Sequence, residues 1–174
     1  MKKLDRQGAG SDAVVIRAAR PADLPSLIPL IRAYYRFDHI RFNPRTMKPA
    51  LERLLCSPAL GRVWIMLDGA RAVGYVVLTF NYDLEFNGLE GIVTDLFIHA
   101  NFRGGGLGRR ALDFVDDYCR KRGIGTVELQ VETANTAAQA FYQKIGFTRL
   151  DRVAMSRDVK HQPGRAPDSI DLKA

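Results

Sequence analysis

Four glycines fall within five positions, Gly104-Gly105-Gly106-Leu107-Gly108, between a β-forming run ending at Ile98 and an amphipathic helical pattern over 107–122. Glycine lacks Cβ, so such a loop can take left-handed conformations and let a ligand approach the backbone. A helix start leaves amide N–H groups without intrahelical partners and carries the positive end of the helix dipole. Together these make an anion site, and a pyrophosphate is its natural occupant. On the residues alone, a plain glycine turn carrying a solvated arginine pair is the alternative. Spacing separates the known phosphate motifs. A P-loop needs Lys-Ser/Thr after its last glycine, and Arg109-Arg110 follows Gly108 instead. Gly106-Leu107-Gly108-Arg109-Arg110-Ala111 fits G-x-G-x-x-A, with Glu128 and Glu132 further on. A dinucleotide fold, however, turns at once after its strand, whereas residues 99–103 intervene here. Too little chain then remains for the second half of a doubly wound sheet. The pattern left is Arg103-x-x-Gly106-x-Gly108.

The 174 residues suit one domain with a sizeable core. Hydrophobic residues at 47% and charged residues at 26% exclude a collagen-like chain, a coiled coil and disorder along the whole length. The net charge of +7 favours an anionic partner: nucleic acid, acidic lipid or a phosphate-bearing cofactor. Two cysteines, Cys56 and Cys119, make no disulfide framework, and the chain reads as cytoplasmic. The start is basic without an apolar run behind it, unlike a signal peptide. The longest nearly apolar stretch, Val73 to Phe80, is far short of a membrane helix.

Residues 1–12 and 160–174 read as loose tails around one domain over 13–159. Within it, a β run at 14–17 precedes a helix with Leu24, Leu27, Ile28, Ile31 and Tyr35 at helical spacing. Pro25 and Pro29 weaken its early part. A second helix covers 46–56. β runs at 63–67 and 73–80 flank Asp68-Gly69 and read as a hairpin. A third β run covers 92–98. The helix over 107–122 carries Leu107, Ala111, Phe114, Val115 and Tyr118 on one stripe. A strand at 126–131, a short helix with Ala137, Phe141 and Ile145, and a last strand over 147–159 complete the order β-α-α-β-β-β-α-β-α-β, an α/β layer fold.

The segment Arg103-x-x-Gly106-x-Gly108 resembles the pyrophosphate loop of the GNAT superfamily of acyl-CoA-dependent N-acyltransferases. A second block, Asn135-Thr136-Ala137-Ala138-Gln139-Ala140-Phe141-Tyr142-Gln143-Lys144-Ile145-Gly146-Phe147, is similar to the family's N-x-x-A/S-x-x-F/Y-Y-x-x-x-G-F signature. The resemblance covers 14–158, and Tyr75 to Phe86 with Asp95-Leu96-Phe97-Ile98 looks most like the small-amine branch, such as the diamine acetyltransferases. It implies a mixed, mostly antiparallel twisted sheet flanked by helices. It also implies acetyl-CoA as co-substrate, a primary amine on a small molecule or a protein as acceptor, and direct attack in a ternary complex. A homodimer is common among relatives.

The resemblance also implies roles. Leu96, Phe97 and Ile98 would pair backbone groups with the pantetheine arm, and an N–H near Ile98 would stabilise the oxyanion. The amides of Gly104, Gly105, Gly106, Leu107, Gly108 and Arg109 would hold the pyrophosphate, with charge from Arg103 and Arg109. Asn135 is either an N-cap or a pantetheine ligand. Tyr142, one turn from Ala138 on the cofactor side, would protonate the departing thiolate. The diamine enzymes carry a Glu where Thr94 stands, so Asp95 is the first substitute as base and Glu90 the second. Carboxylates and aromatics at Asp38, Tyr82, Asp83, Glu85 and Glu90 suit a cationic acceptor.

The same residues bear on other function classes. Neither cysteine has a His partner for an acyl-cysteine route, and His39, His99 and His161 lack metal spacing. A nucleic-acid module fits poorly, because Arg120-Lys121-Arg122 is offset by Asp113, Asp116 and Asp117. A catalytically silent acyl-CoA sensor or assembly subunit is kept open by Thr94.

Overall fold

The computed structural model describes residues 13–157. The expected tails at 1–12 and 160–174, and residues 158 and 159 of the expected domain, lie outside the described residues. Two compact units succeed each other along the chain, meeting between Asn135 and Thr136.

The first unit is a five-stranded sheet in the order β1-β2-β3-β4-β5. Its strands are β1 (Val15–Ala18), β2 (Gly61–Asp68), β3 (Arg71–Asp83), β4 (Gly88–Ile98) and β5 (Val127–Leu129). β1 to β4 are antiparallel neighbours, and β5 joins β4 in parallel. The mixed sheet is the one expected. Asp68 pairs with Arg71 across a two-residue turn in which Gly69 has φ 58°. That positive φ is the conformation short hairpin turns demand.

Helices α1 (Leu24–Phe37) and α2 (Pro44–Cys56) cover one face of the sheet. Leu27, Leu30, Ile31 and Leu51 pack there with Val63, Ile65, Tyr75, Val77 and Phe97. Each fully buried Leu or Ile contributes roughly 1.5–3 kcal/mol relative to exposure. Pro25 falls in the first turn of α1, where its missing N–H costs nothing, and Pro29 is accommodated within the helix.

Helix α3 (Leu107–Lys121) covers the opposite face, where Tyr118 meets the rings of Trp64 and Phe80. Its buried stripe is Leu107, Ala111, Leu112, Val115 and Cys119. Phe114, expected on that stripe, is 42% exposed. At 3.6 residues per turn, Leu112 and Cys119 draw the buried arc round, and Phe114 falls past its other edge.

The second unit holds α4 (Thr136–Lys144). Gly146, at φ 106°, and the bond from Phe147 N to Tyr142 O close its end. The strand expected over 147–159 is absent from 147–157. Val153 and Met155 are 86% and 91% exposed, so no apolar face offsets the entropy of holding the chain extended. Among the described residues, no helix is long and apolar enough to cross a membrane.

One irregularity positions the site. Val77 and Leu78 are consecutive on β3, yet they pair with Asp95 and Val93 on β4. Thr94 is therefore the extra residue of a β-bulge. Side chains alternate across a strand, and Asn81 and Thr79 place their partners Glu90 and Ile92 on the α1/α2 face. Without the bulge, Thr94 would be the next residue to point there. With it, Asp95 takes that place opposite Val77, followed by Phe97 opposite Tyr75, and Thr94 is exposed.

Close approach of β3 and β4 at this end requires Gly74. A Cβ there would stand 2.7 Å from the Phe97 carbonyl oxygen and 2.8 Å from Met66 Sδ. Backbone cannot yield as a side-chain tip can. Gly74→Ala is expected to destabilise the protein by about 1–3 kcal/mol, seen as a lower urea midpoint with the slope unchanged.

Candidate active site

β4 pairs with β3 along its whole length, but with β5 only at Gly91, Ile92 and Val93. From Thr94 onward that second side has no strand neighbour among the described residues. His99 N donates to Val73 O at 2.8 Å. Hydrogen-bonded pairs alternate in an antiparallel ladder. Tyr75 with Phe97 and Val77 with Asp95 therefore exchange bonds, and Leu96 and Ile98 direct N–H and C=O to the open side. Phe97, expected to offer its backbone there too, gives it to Tyr75 instead, and its ring packs in the core.

The open edge leads through a 3₁₀ turn at Ala100–Phe102 into the glycine loop. Gly104 and Gly106 both have φ 82°, and a Cβ at either would meet nothing within 4 Å. Gly106 caps α3 with no side chain. The bond from Arg110 N to Gly106 O opens the helix. The amides of Leu107, Gly108 and Arg109 thus have no partner within the helix. Leu107 is fully buried and anchors the turn, while Gly105 and Arg109 are exposed.

Arg103, expected to add charge at the pyrophosphate, is exposed and anchored to the end of the strand. Its Nε donates to Ile98 O at 2.8 Å, and its guanidinium lies over the rings of Phe37 and Phe97 at 5.1 and 5.7 Å. It ties the loop to the strand end. Arg110 Nη2 donates to Val14 O at 2.8 Å, joining α3 to the chain just before β1. No local pattern signals that tie, since 96 positions separate the two residues.

Past the bulge lies the acidic centre. Asp95 is half-buried. Its Oδ2 accepts the Tyr75 hydroxyl at 3.0 Å. Burial pushes its carboxyl above the ordinary carboxylate range, the Tyr75 hydrogen bond opposes that, and the charge of Asp38 adds to it. Tyr34 packs against Tyr35 and Phe97 with ring centroids 6.0 and 6.3 Å apart, and Tyr75 lies 6.3 Å from Phe97. Burial raises the Tyr35 and Tyr75 phenols, and the Asp95 charge adds to both.

The expected carboxylates do not all gather here. Glu90 shares the face of Asp95 but pairs with Asn81, four β3 positions from Val77, about 13 Å along a strand. It is 3% exposed, and Asn81 Nδ2 donates to its Oε2 at 3.2 Å. Its buried Oε1 has no hydrogen-bond partner among the described residues. Asp83 lies six positions from Val77, about 20 Å away. Its Oδ1 accepts Glu85 N at 2.8 Å, and Tyr82 beside it is 70% exposed. Asp38 joins Asp95, whereas Tyr82, Asp83 and Glu85 form the hairpin tip. Tyr75, the partner of Asp95, goes unflagged in the sequence because a bulge leaves no local signal.

Within the second unit, Ala138 and Tyr142 stand one turn apart on α4. The Tyr142 ring packs against Phe141 at 5.2 Å and Phe147 at 5.7 Å. Asn135 immediately precedes α4, and its N–H donates to Glu132 O at 2.9 Å.

Known proteins are similar to this chain in sequence and in fold. The acetyltransferase (GNAT) family model matches residues 25–147. An uncharacterized N-acetyltransferase of Methanocaldococcus jannaschii is 26% identical over 140 residues, covering 79% of this chain. The chain spans 62% of that relative's length. An integron cassette protein from the mobile metagenome of Cole Harbour Salt Marsh is similar at TM-score 0.75 and 30% identity, over 90% of this chain and 96% of that one. An aminoglycoside N-acetyltransferase solved in complex with CoA is similar at TM-score 0.74 and 17% identity, over 84% and 95%. A family match from Pro25 to Phe147 spans the bulged strand, the glycine loop and α4, and the chain belongs to the acetyltransferase (GNAT) family.

Proposed function

We propose that this protein transfers an acetyl group from acetyl-CoA to a primary amine, preferring a small cationic one, by direct attack in a ternary complex. The observation that carries the reading is the one-sided edge of β4 running into a glycine loop that opens α3. A pantetheine arm is itself a chain of amides and can pair with Leu96 and Ile98 as a strand would. Its pyrophosphate then meets the amides of 104–109, and an aminoglycoside enzyme of the same fold solved with CoA supports acetyl-CoA as the cosubstrate. Asn135 and Ala138 are the pantetheine contacts carried over from the family signature.

The chemistry takes two protons from the amine nitrogen and gives one to the departing thiolate. An alkylammonium has a pKa of about 10.4 by analogy with lysine, so it must lose a proton before attack. Asp95 is the assigned base, and Glu90, deeper on the same face, is second in line through water. The amine then attacks the thioester carbonyl, whose developing oxyanion takes the N–H of Ile98. Collapse expels the CoA thiolate, Tyr142 protonates it, and the adduct nitrogen sheds its extra proton through water to the Tyr142 phenolate, which leaves a neutral amide and restores the phenol. Phenols as a class, with pKa values of about 10, are competent acids for protonating a thiolate. Asp38 and the tyrosines beside Asp95 favour a cation. Asp83, Glu85 and Tyr82 serve only the far end of a long polyamine. A cytoplasmic setting is consistent with Cys56 and Cys119 as free thiols, and family precedent favours a homodimer.

Gly106→Leu should weaken CoA binding at least tenfold, about 1.4 kcal/mol, in isothermal titration. A side chain at φ 82° strains the loop by about 1–2 kcal/mol, a fraction of a domain's stability, and the open space around the Gly106 Cβ position adds no clash, so the fold is expected to survive. Unchanged affinity in a folded variant would remove the loop from the cosubstrate site.

Tyr142→Phe should lower kcat by about 10²–10⁴-fold with little change in the KM for acetyl-CoA, because the proton is delivered only in the transition state. A rate within twofold of the parent would assign the residue to packing.

The acceptor is tested by a panel of amines at fixed acetyl-CoA, following thiol release. Cationic polyamines and basic amino acids should turn over faster than neutral or acidic amines. Asp95 works as base only when ionised, so activity should rise as pH passes its elevated pKa. Asp95→Asn should lose that limb and recover part of its rate at higher pH, where more of the amine is neutral. Faster turnover of glutamate-like amines would sink the acceptor assignment, and no thiol release with any amine would favour a silent acyl-CoA sensor.

A further inference from the structure

Under the proposed reaction, Asp95 must present one carboxylate oxygen to the ammonium and be ionised when it does so. We propose that Tyr75 secures both, as a positioning residue on the neighbouring strand. The inference rests on the reading of Asp95 as the base.

The geometry is specific. Tyr75 is wholly buried in the sheet core, yet its hydroxyl reaches Asp95 Oδ2 at 3.0 Å. The bulge at Thr94 creates the pair. Asp95 lies opposite Val77 and Tyr75 opposite Phe97, so the two are diagonal neighbours on one face. A buried phenol without a partner would be costly. Its natural alternatives would be a backbone carbonyl or water, and it meets the carboxylate instead. Only Oδ2 is engaged, leaving Oδ1 without a protein hydrogen bond among the described residues. One oxygen is held and the other is presented.

The groups facing Asp95 divide the work. From β3 comes Tyr75, from α1 comes Tyr35, and from the residue that caps α1 comes Asp38, while Tyr34 acts on Tyr75. Arg103 lies beyond the Phe97 ring. Burial and Asp38 both disfavour the charged carboxylate, and the hydrogen bond from Tyr75 favours it. Tyr75 remains a donor throughout, because burial and the Asp95 charge keep its phenol protonated. Removing that hydroxyl should make Asp95 more basic and free its side chain to rotate.

The test is Tyr75→Phe in the full chain, which removes one oxygen and keeps the ring. With ¹³C-labelled aspartate, the Asp95 carboxyl resonance, identified by its loss in Asp95→Asn, should titrate about one pH unit higher than in the parent, a tenfold change in proton affinity. The acidic limb of the kcat profile should move up by the same amount. The KM for acetyl-CoA should stay within twofold. In the Asp95→Asn background the same substitution should cost nothing further, since the residues act as a unit. Unmoved carboxyl titration and an unmoved limb would overturn the proposal, as would an additive loss in the double variant. If Asp95→Asn alone keeps its rate and its limb, the base assignment fails, and the carboxyl titration still reports on Tyr75. Should Tyr75→Phe not fold, the parent protein decides. A slowly exchanging Tyr75 hydroxyl proton whose shift follows the Asp95 titration supports the pairing, and a rapidly exchanging one that ignores it overturns it.

Discussion

The ladder between β3 and β4, with one extra residue at Thr94, is the constraint on which the rest depends. A strand offers two faces in strict alternation, and a single inserted residue exchanges them. Before the insertion, Glu90 and Ile92 look toward α1 and α2. After it, Asp95 and Phe97 do. The same insertion coincides with the end of pairing to β5 at Val93. One local event therefore places a carboxylate among aromatic rings and frees a stretch of backbone beside it.

Beyond the strand end, the glycine loop is built mostly from main chain. It has no side-chain cap at Gly106, two left-handed glycines, and helix amides directed outward. A backbone site of this kind needs rigid support, and the support is apolar. Leu107 is buried beneath the first turn, and Arg103 is held between two phenyl rings while bonding Ile98 O. Arg103 thus braces the loop against the strand end. Its position in the motif is readable, but the rings of Phe37 and Phe97 that claim it come from two other elements.

Locally encoded features are legible in the sequence. Asp68-Gly69 marks its hairpin, the glycine run marks a helix start, and the periodicity of Leu27, Ile31, Ala111 and Val115 identifies helix faces that the structure buries. Features set by registration between distant elements are not legible. The Tyr75–Asp95 bond depends on a bulge that leaves no residue signature, and the Arg110–Val14 tie spans most of the domain. Asp38, Tyr82, Asp83, Glu85 and Glu90 read as one group because the chain folds back on itself. The strands are long enough, however, to carry Asp83 and Glu85 to the far tip of the hairpin. The final strand is absent from 147–157 for a different reason: Val153 and Met155 find nothing to cover, and so nothing holds the chain extended.

The half-paired edge of β4 also bears on how the protein behaves in solution. Unsatisfied strand groups are a template for any extended chain, including a neighbouring molecule of the same protein. Here the hazard is confined. The free stretch is short, the bulge twists its beginning, and Arg103 occupies the carbonyl at its end. In the proposed binding mode, a pantetheine arm would complete the ladder and remove the template. Saturation with the cosubstrate would then act as a solubility aid as well as a source of stability, through mass action on the folded state. Preparations stripped of it would be the ones most prone to associate through this edge.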